Sequence, residues 1–246
     1  APMPPELLRW YGALGLNLIE LYGMTENGAT HSTDVKHPMP GSVGQALNGV
    51  KCRLDPDTSE VQIQSSGLML GYFLEPELTA QAYTSDGWLH TGDKGTLDAQ
   101  GNLKLTGRVK DLFKTSKGKY VSPAAIEALL AVMPGVEACC VVGANMNQPL
   151  AILALTPDLV KQAIQPQARH QLQDFFANEL VNLNQQLDPH ERLSCLVLDP
   201  TPWTVASGFI TPTLKVKRNQ IEDAYGSFFE AWTAQSKTIV WMDDAT

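Results

Sequence analysis

Four short segments of the sequence combine residue types that could carry chemistry, and two of them could contact parts of a nucleotide. The first, residues 22–26 (YGMTE), places an aromatic ring, a hydroxyl and a carboxylate just after an apolar run at residues 16–21. A hydroxyl can donate to phosphate, and a carboxylate can hold the Mg²⁺ that accompanies phosphate. Because α/β folds hold ligands in the loops that follow strands, we predict a strand over residues 16–21 that presents this segment. By itself, however, the spacing favours an ordinary strand and turn.

The other three segments have plain structural interpretations when each is taken alone. Asp93 ends the segment 88–93 (WLHTGD), where an Asp after Thr-Gly usually forms a turn, although a carboxylate there could also accept two ribose hydroxyls. Residues 107–114 (GRVKDLFK) are dense in charge between two apolar runs and fit a solvated joint between domains. Residues 211–218 (TPTLKVKR) fit a basic surface patch before a helix. We interpret His90, next to the Thr-Gly-Asp turn, as structural.

Turn signals and hydrophobic periodicity predict two regions that differ in secondary structure around these segments. Before Gly107, we predict a short helix that starts near Pro5, and short strands separated by turns over residues 42–106, which indicate a small antiparallel β unit. After Gly107, the pattern predicts an α+β unit, with the domain boundary between Gly107 and Asp111. Its predicted elements are a hairpin around residues 116–118, helices at 123–132, 167–187 and 219–234, and strands at 136–142, 151–155 and 195–198.

The composition is that of a soluble globular chain. The 246 residues are 43% hydrophobic and carry a formal charge of -8, which argues against nucleic acid or an anionic membrane surface as the main partner. No apolar stretch is long enough to cross a membrane. The four cysteines lack metal-ligand spacing, so we predict buried, reduced thiols, with Cys139 and Cys140 on opposite faces of a strand. No signal peptide is visible, and we expect a cytoplasmic protein.

Taken together and in this order, the four segments resemble core motifs of the adenylate-forming (AMP-binding) superfamily, which includes acyl-CoA synthetases, nonribosomal adenylation domains and luciferases. A fifth, weaker match lies at residues 66–72 (SGLMLGY). The resemblance covers nearly the whole chain. Within the superfamily, two features resemble the long-chain fatty acyl-CoA synthetase branch. They are residues 112–123 (LFKTSKGKYVSP) and the TPTLK sequence, in which Leu214 stands where most relatives have Gly.

The resemblance implies a three-part α/β and α+β fold. Residues 1–36 would end a large N-terminal domain and form part of the nucleotide site, residues 37–109 would form a small antiparallel β-barrel subdomain, and residues 110–246 a mobile C-terminal domain. It also implies an ATP-dependent ligase. Such enzymes join a carboxylate to ATP, release pyrophosphate and hold an acyl-adenylate. The C-terminal domain then rotates, and the thiol of CoA attacks to give the thioester and AMP.

Carried onto this sequence, the motifs imply roles for six residues of a nucleotide site. An Arg suits such a site because its guanidinium stays charged and offers several donors, and a carboxylate suits it because two acceptor oxygens match a vicinal diol. The implied roles are adenine stacking for Tyr22, a nucleotide contact for Gly23, a phosphate contact for Thr25, Mg²⁺ binding for Glu26, and ribose binding for Asp93 and Arg108.

Three lysines complete the implied site. Lys215 would be the adenylation lysine, which stabilises negative charge as the substrate carboxylate approaches the α-phosphate and pyrophosphate leaves. Lys110 would be the hinge about which the C-terminal domain turns. Lys114, with the loop at Lys117-Gly118, would face the incoming CoA in the second conformation. The implied small-molecule partners are therefore ATP, CoA and a fatty acid, with Mg²⁺.

One feature that the family carries upstream of its YGMTE motif is not found in this sequence, namely a Ser/Thr/Gly-rich loop followed by Lys that wraps the ATP phosphates. The sequence also begins at Ala1 without an initiator Met. We therefore expect the C-terminal part of a long-chain fatty acid–CoA ligase, inactive without its N-terminal part. Two alternatives stay open. One is a fatty acyl-AMP ligase or adenylation domain that loads a carrier protein, and the other is a truncated, non-enzymatic nucleotide-binding module.

Overall fold

The structure is a computed structural model that describes residues 5–16, 18–34, 36–235 and 237–244. The chain divides into two compact units, Ala1–Lys110 and Asp111–Thr246, and each unit has its own sheets and its own core. The finer division of the chain into three parts, with breaks after residues 36 and 109, stays a prediction.

The first unit is built mainly from antiparallel strands. Its elements are α1 (Pro5–Ala13), β1 (Leu21–Met24), β2 (Gly28–Ser32), β3 (Gln45–Ala46), β4 (Lys51–Leu54), β5 (Glu60–Gln64), α2 (Pro76–Gln81), β6 (Leu89–Leu97) and β7 (Leu103–Arg108). Strands β1, β2 and β3 form one sheet in that order. Strands β4 to β7 form a second sheet, in which each strand pairs with the next one along the chain.

A backbone bridge between Gly44 and Leu103 connects the two sheets of the first unit. The N–H of Val43 donates to the Leu103 carbonyl at 2.9 Å, and the Leu103 N–H donates to the Gly44 carbonyl at 2.8 Å. Because Val43 and Gly44 directly precede β3, the bridge places the start of β3 beside β7, and the two sheets enclose a shared core. This curled antiparallel arrangement confirms the small β unit that the turn spacing predicts. The buried side chains of the core are Tyr22, Val61, Ile63 and Leu103.

The strand predicted over residues 16–21 is wrong. Asn17 lies outside the described residues, and the others before Leu21 form no strand; β1 covers Leu21–Met24 instead. The position of β1 is set by its hydrogen-bonded pairing with β2, which hydrophobicity alone does not reveal. Two of the apolar side chains that suggested the earlier strand, Leu16 and Ile19, are exposed. The YGMTE segment therefore forms a strand and its turn, rather than a loop that follows a strand.

The second unit is an α+β unit around one mixed sheet, as the sequence predicts. Its elements are β8 (Phe113–Lys114), β9 (Tyr120–Val121), α3 (Pro123–Leu130), β10 (Val136–Val142), β11 (Leu150–Leu155), α4 (Pro157–Gln162), α5 (Pro166–Gln185), β12 (Leu196–Asp199), α6 (Arg218–Tyr225), α7 (Phe229–Ala234) and β13 (Ile239–Trp241). The sheet order is β10-β11-β12-β13, with β10 antiparallel to β11 and the other pairs parallel. Within the described ranges, no helix of either unit is both long and apolar enough to cross a membrane.

Both faces of this sheet are covered, which is why every residue of β11 is buried. One face packs against α5 through Phe176 and Leu180, and the other packs against aromatic side chains that include Trp232. Cys139 belongs to the core on the α5 face of the sheet and Cys140 to the core on the opposite face, which confirms the predicted alternation. All four cysteines are free thiols, and three of them are buried.

Two predicted helices of the second unit are confirmed with slightly earlier ends, at Leu130 and Gln185, and the third is interrupted. The helix predicted over residues 219–234 breaks at a 3₁₀ turn, Gly226–Phe228, between α6 and α7. The turn places the aromatic rings on both sides of the break around Trp232, with the ring centroids of Phe228 and Trp232 5.8 Å apart. The sequence analysis also missed α4 and β13, because elements of six and three residues carry little periodicity.

Gly23 lets β1 and β2 approach closely, and this approach can be tested by substitution. A Cβ at Gly23 would overlap the backbone of Gly28 and Ala29, which cannot move aside without breaking the hairpin. We expect Gly23→Ala to lower the free energy of unfolding by about 2 kcal/mol or more, as measured by urea denaturation. Gly12→Ala is the control, since Gly12 lies in α1 with nothing within 4 Å of an added Cβ. Equal losses in the two variants would contradict the close approach.

Candidate functional site

Three residues that the sequence singled out meet at the carboxylate of Asp93. The hydroxyl of Tyr22 donates to Asp93 Oδ2 at 2.7 Å, and Arg108 Nε donates to Asp93 Oδ1 at 2.9 Å. Asp93 lies opposite Arg108 in the ladder between β6 and β7, and its side chain is 14% exposed against 57% for Arg108. Burial raises the pKa of the Tyr22 hydroxyl, so this group stays protonated and acts as a donor.

These contacts fix the orientation of the carboxylate without exhausting its ability to accept hydrogen bonds. An ionised carboxylate offers about four acceptor positions, and Tyr22 and Arg108 account for one on each oxygen. A pair of oriented oxygens of this kind can accept from two neighbouring hydroxyls. Tyr22 is only 7% exposed and belongs to the core of the first unit, a position that the sequence analysis did not predict.

Thr91, Gly92 and Asp93 lie inside β6, so the turn that this sequence favours is not formed. A buried carboxylate, Glu60, which the sequence analysis missed, holds the segment. Glu60 Oε1 accepts the Gly92 N–H at 2.8 Å, and Oε2 lies 2.7 Å from His90 Nδ1, which agrees with a structural role for His90. The Thr91 hydroxyl donates to a carbonyl of β5 at 2.7 Å and accepts the Asp93 N–H at 3.1 Å. Each residue of this Thr-Gly-Asp segment of β6 is therefore held by a hydrogen bond. An acidic residue at the start of a strand gives no sequence signal of such burial.

The turn after β1 places Thr25 and Glu26 at the tip of an antiparallel hairpin, which corrects the expectation of an α/β strand end. Asn27 closes this turn, because its Oδ1 accepts the Met24 N–H at 2.9 Å and its own N–H donates to the Met24 carbonyl. Gly28 follows with φ +61°, a left-handed conformation that suits glycine. The Thr25 side chain is exposed and that of Glu26 is half-buried.

Glu26 has surroundings that fit the Mg²⁺ chemistry implied by the motif. Its Oε1 accepts the Tyr72 hydroxyl at 3.0 Å, and its carbonyl accepts the Met69 N–H at 2.7 Å, so the segment 66–72 packs against the YGMTE turn. Mg²⁺ is usually held by one or two carboxylates together with water and substrate phosphates. The single carboxylate of Glu26, next to the exposed hydroxyl of Thr25, therefore suits a Mg²⁺ ion that arrives with a phosphate.

Lys110 and Lys114 lie on either side of the boundary between the units, and each is exposed. Lys110 is the last residue of the first unit, in the turn that follows β7. Lys114 lies in β8 opposite Tyr120, and its Nζ is 4.9 Å from the centroid of that ring. The Lys114 carbonyl accepts the Asn145 N–H at 2.7 Å, which ties this strand to the loop after β10. The hairpin predicted around residues 116–118 is confirmed.

Lys215 lies exposed in the second unit, at the end of a three-residue hairpin loop. Ile210 pairs with Val216, and inside that pair the Thr211 N–H donates to the Lys215 carbonyl at 2.8 Å. Leu214, directly before Lys215, has φ +60°, which is the left-handed conformation for which three-residue hairpin loops normally use Gly. The structure thus gives a physical reason for a Gly at this position, and this chain meets the same requirement with a Leu.

Arg218 anchors the base of the same loop. Its guanidinium donates to Glu127 Oε1 at 2.8 Å and to the Val141 carbonyl, and the same Glu127 oxygen accepts the Val141 N–H. The Arg218 and Glu127 side chains are 18% and 22% exposed, so removing either partner would leave a poorly hydrated charge. The interpretation of residues 211–218 as a basic surface patch is therefore wrong for Arg218, whose side chain turns inward between α3 and β10.

Solved structures with a similar fold are adenylate-forming enzymes. The adenylation domain of a carboxylate reductase from Mycobacterium chelonae superposes with a TM-score of 0.79 at 25% identity, over 95% of this chain and 38% of that chain. ATP-bound MatB from Rhodopseudomonas palustris gives a TM-score of 0.71 at 26% identity, over 93% of this chain and 45% of that chain. The fold of both units is therefore that of an adenylation enzyme.

The sequence comparisons define the family. The profile described as the AMP-binding enzyme C-terminal domain matches residues 110–236, just over half of the chain, and the chain belongs to the AMP-binding enzyme family. The protein named fatty-acid–CoA ligase fadD11 of Mycobacterium tuberculosis is 32% identical over 244 residues, and long-chain-fatty-acid–CoA ligase 5 of Mus musculus is 29% identical over 246 residues. The matches cover 94% and 90% of this chain. The chain spans only 42% and 36% of the lengths of these relatives.

The conformation of Leu214 predicts that a smaller residue would stabilise the loop. We expect Leu214→Gly to raise the free energy of unfolding by about 0.5–1 kcal/mol, because Gly adopts φ +60° without the steric cost that an L-residue bears. The Leu214 side chain is 80% exposed, so little packing is lost. Leu214→Ala is the control, since Ala keeps the unfavourable conformation and should change stability little. Urea denaturation decides the matter, and a Gly variant less stable than the Ala variant would contradict the explanation.

Proposed function

We propose that this chain supplies nucleotide-binding and adenylation groups of an ATP-dependent acid–CoA ligase whose acid is a long-chain fatty acid. The observation that carries the proposal is the carboxylate of Asp93, which Tyr22 and Arg108 hold in a fixed orientation. Two oriented acceptor oxygens suit the neighbouring hydroxyls of a ribose. Relatives named as long-chain-fatty-acid–CoA ligases support both the acid and CoA as the acceptor.

The nucleoside part of ATP would lie against the Asp93 cluster. Asp93 would accept hydrogen bonds from the ribose hydroxyls, and Arg108, whose side chain is more than half exposed, would donate to the same sugar. Tyr22 would contact adenine through the part of its ring that the core leaves exposed. Gly23, which follows Tyr22 in β1, would lie beside the nucleotide. Its lack of a side chain also lets β1 approach β2 closely.

The phosphates would lie toward the tip of the β1–β2 hairpin. The exposed hydroxyl of Thr25 would donate to a phosphate oxygen, and Glu26 would hold Mg²⁺ while its other contact, with Tyr72, keeps the carboxylate in place. When bound, Mg²⁺ supplies positive charge against the phosphates.

Lys215 would act in the first half-reaction. An oxygen of the fatty acid carboxylate attacks the α-phosphorus of ATP, the bond from that phosphorus to its bridging oxygen breaks, and pyrophosphate leaves with both bonding electrons. Two anions must approach each other, and negative charge accumulates as pyrophosphate departs. The exposed ammonium group of Lys215 would offset this charge. A positioned donor of this kind typically lowers a barrier by about 3 kcal/mol.

The second half-reaction would use the other two lysines. The thiol of CoA loses its proton to solvent, the thiolate sulfur attacks the acyl carbon of the adenylate, the bond from that carbon to the phosphate oxygen breaks, and AMP leaves. Lys110, in the exposed turn where the first unit ends, would absorb the backbone rotation between the two half-reactions. Lys114, on the hairpin of β8 and β9, would then approach the incoming CoA.

The proposal predicts different effects of Lys215→Ala on the two half-reactions. Because the chain spans about 40% of the length of its relatives, the measurement uses protein expressed from the complete open reading frame. We expect that enzyme to release pyrophosphate from ATP when a long-chain fatty acid is present. Lys215→Ala should slow adenylate formation a hundredfold or more, about 3 kcal/mol in the barrier, and spare thioester formation from supplied adenylate. Lys217→Ala, at an exposed lysine two residues further on, should retain both steps.

Three results would change the assignment. Equal loss of both half-reactions in Lys215→Ala would contradict the role of this lysine. Adenylate formation without consumption of CoA would favour an enzyme that loads a carrier protein, an alternative supported by the likeness to a carboxylate reductase adenylation domain. Nucleotide binding without pyrophosphate release from any acid would favour a non-enzymatic module.

A further inference from the structure

We infer that Thr211 is a positioning residue, whose hydroxyl holds the backbone of Lys215 in the orientation that adenylation requires. The inference rests on the proposed role of Lys215 in the first half-reaction. It assigns to Thr211 a function beyond closing the loop.

Thr211 engages both backbone polar groups of Lys215. The Lys215 N–H donates to Thr211 Oγ1 at 3.0 Å, and the Thr211 N–H donates to the Lys215 carbonyl at 2.8 Å. The second contact is an ordinary hairpin bond that any residue except Pro can make. The first contact requires a side-chain oxygen, so only the hydroxyl distinguishes Thr211 from an aliphatic residue of the same shape.

The hydroxyl of Thr211 has a second partner, Thr213 Oγ1, at 3.0 Å. A hydroxyl has one proton to donate and two lone pairs, so Thr211 can donate to Thr213 while it accepts from the Lys215 N–H. This pattern orients a lone pair toward the amide of Lys215. Because the loop is exposed, water competes for these bonds and they contribute little to overall stability. Instead, the two hydrogen bonds of the Thr211 hydroxyl restrict the conformation of the loop tip.

The base of the loop is fixed, so the conformational freedom that remains is concentrated at the tip. The Lys217 N–H donates to the Phe209 carbonyl at 2.8 Å, and Arg218 is anchored to Glu127. At the tip, Leu214 is held at φ +60°, which is unfavourable for a residue with a side chain.

Release of that strain would turn the peptide between Leu214 and Lys215, whose N–H is the group that Thr211 Oγ1 binds. The hydroxyl therefore opposes a backbone movement that would redirect the Lys215 side chain. Without the Thr211 hydroxyl, the Lys215 ammonium group would sample several orientations. Even a small misplacement of a catalytic group lowers the reaction rate.

The test compares Thr211→Val with Thr211→Ser in protein expressed from the complete open reading frame. Val keeps the β-branched shape and tolerates the extended backbone required before Pro212, whereas Ser keeps the hydroxyl. We expect Thr211→Val to lower the turnover number of adenylate formation roughly tenfold, with the KM for ATP and thioester formation from supplied adenylate nearly unchanged. Thr211→Ser should restore most of the rate. Amide hydrogen exchange at Lys215 should be faster in the Val variant only, with equal melting temperatures.

The outcomes separate this inference from the proposed function. Normal adenylation in Thr211→Val, together with its loss in Lys215→Ala, would overturn the inference and leave the proposed function standing. A Ser variant as slow as the Val variant, or equal loss of both half-reactions in Thr211→Val, would also overturn it. Normal adenylation in Lys215→Ala would refute the proposed role of Lys215 and the inference with it.

Discussion

A carboxylate that is largely withdrawn from water must be hydrogen-bonded, and in Asp93 this requirement organises the first unit. Its two partners lie 71 and 15 residues away in the sequence. Tyr22 can reach it only if β1 joins the core beside Leu103, and Arg108 only in the observed register of β6 and β7. Glu60 adds a second buried carboxylate, which holds the peptide of Gly92 just before Asp93. The orientation of the Asp93 oxygens therefore depends on the folded arrangement of this unit.

The second unit combines a rigid support with an exposed cation. Arg218 and Glu127 form a mostly buried ion pair, and three residues before Arg218 the Lys215 side chain extends into solvent. A chain with a net charge of -8 attracts anions poorly as a whole, so the role proposed for Lys215 requires its charge to act locally. Under the proposed function, Lys215 needs a defined position, and the residue directly before it, Leu214, adopts the unfavourable φ of +60°.

The sequence predicted those parts of the fold that depend on local pattern. The antiparallel β unit, the long helix α5 and the opposite burial of Cys139 and Cys140 follow from periodicity and turn residues. Features that depend on contacts between distant segments were not predicted. The true position of β1 is set by its pairing with β2, and the burial of Glu60 and Arg218 depends on partners 30 or more residues away. The motifs predict a shared site for Tyr22, Asp93 and Arg108, but only the structure shows that Tyr22 and Arg108 are both hydrogen-bonded to Asp93.

The central claim, that the Asp93 carboxylate is a ribose acceptor, is tested most directly by calorimetry with AMP and 2′,3′-dideoxy-AMP. The measurement compares enzyme from the complete open reading frame with its Asp93→Asn variant. The wild-type enzyme should bind AMP roughly tenfold or more tightly than the dideoxy nucleotide, a difference of about 1.4 kcal/mol or more. Asp93→Asn should lose most of that preference and bind the two nucleotides with similar, weak affinity. An undiminished preference for AMP in Asp93→Asn would contradict the account.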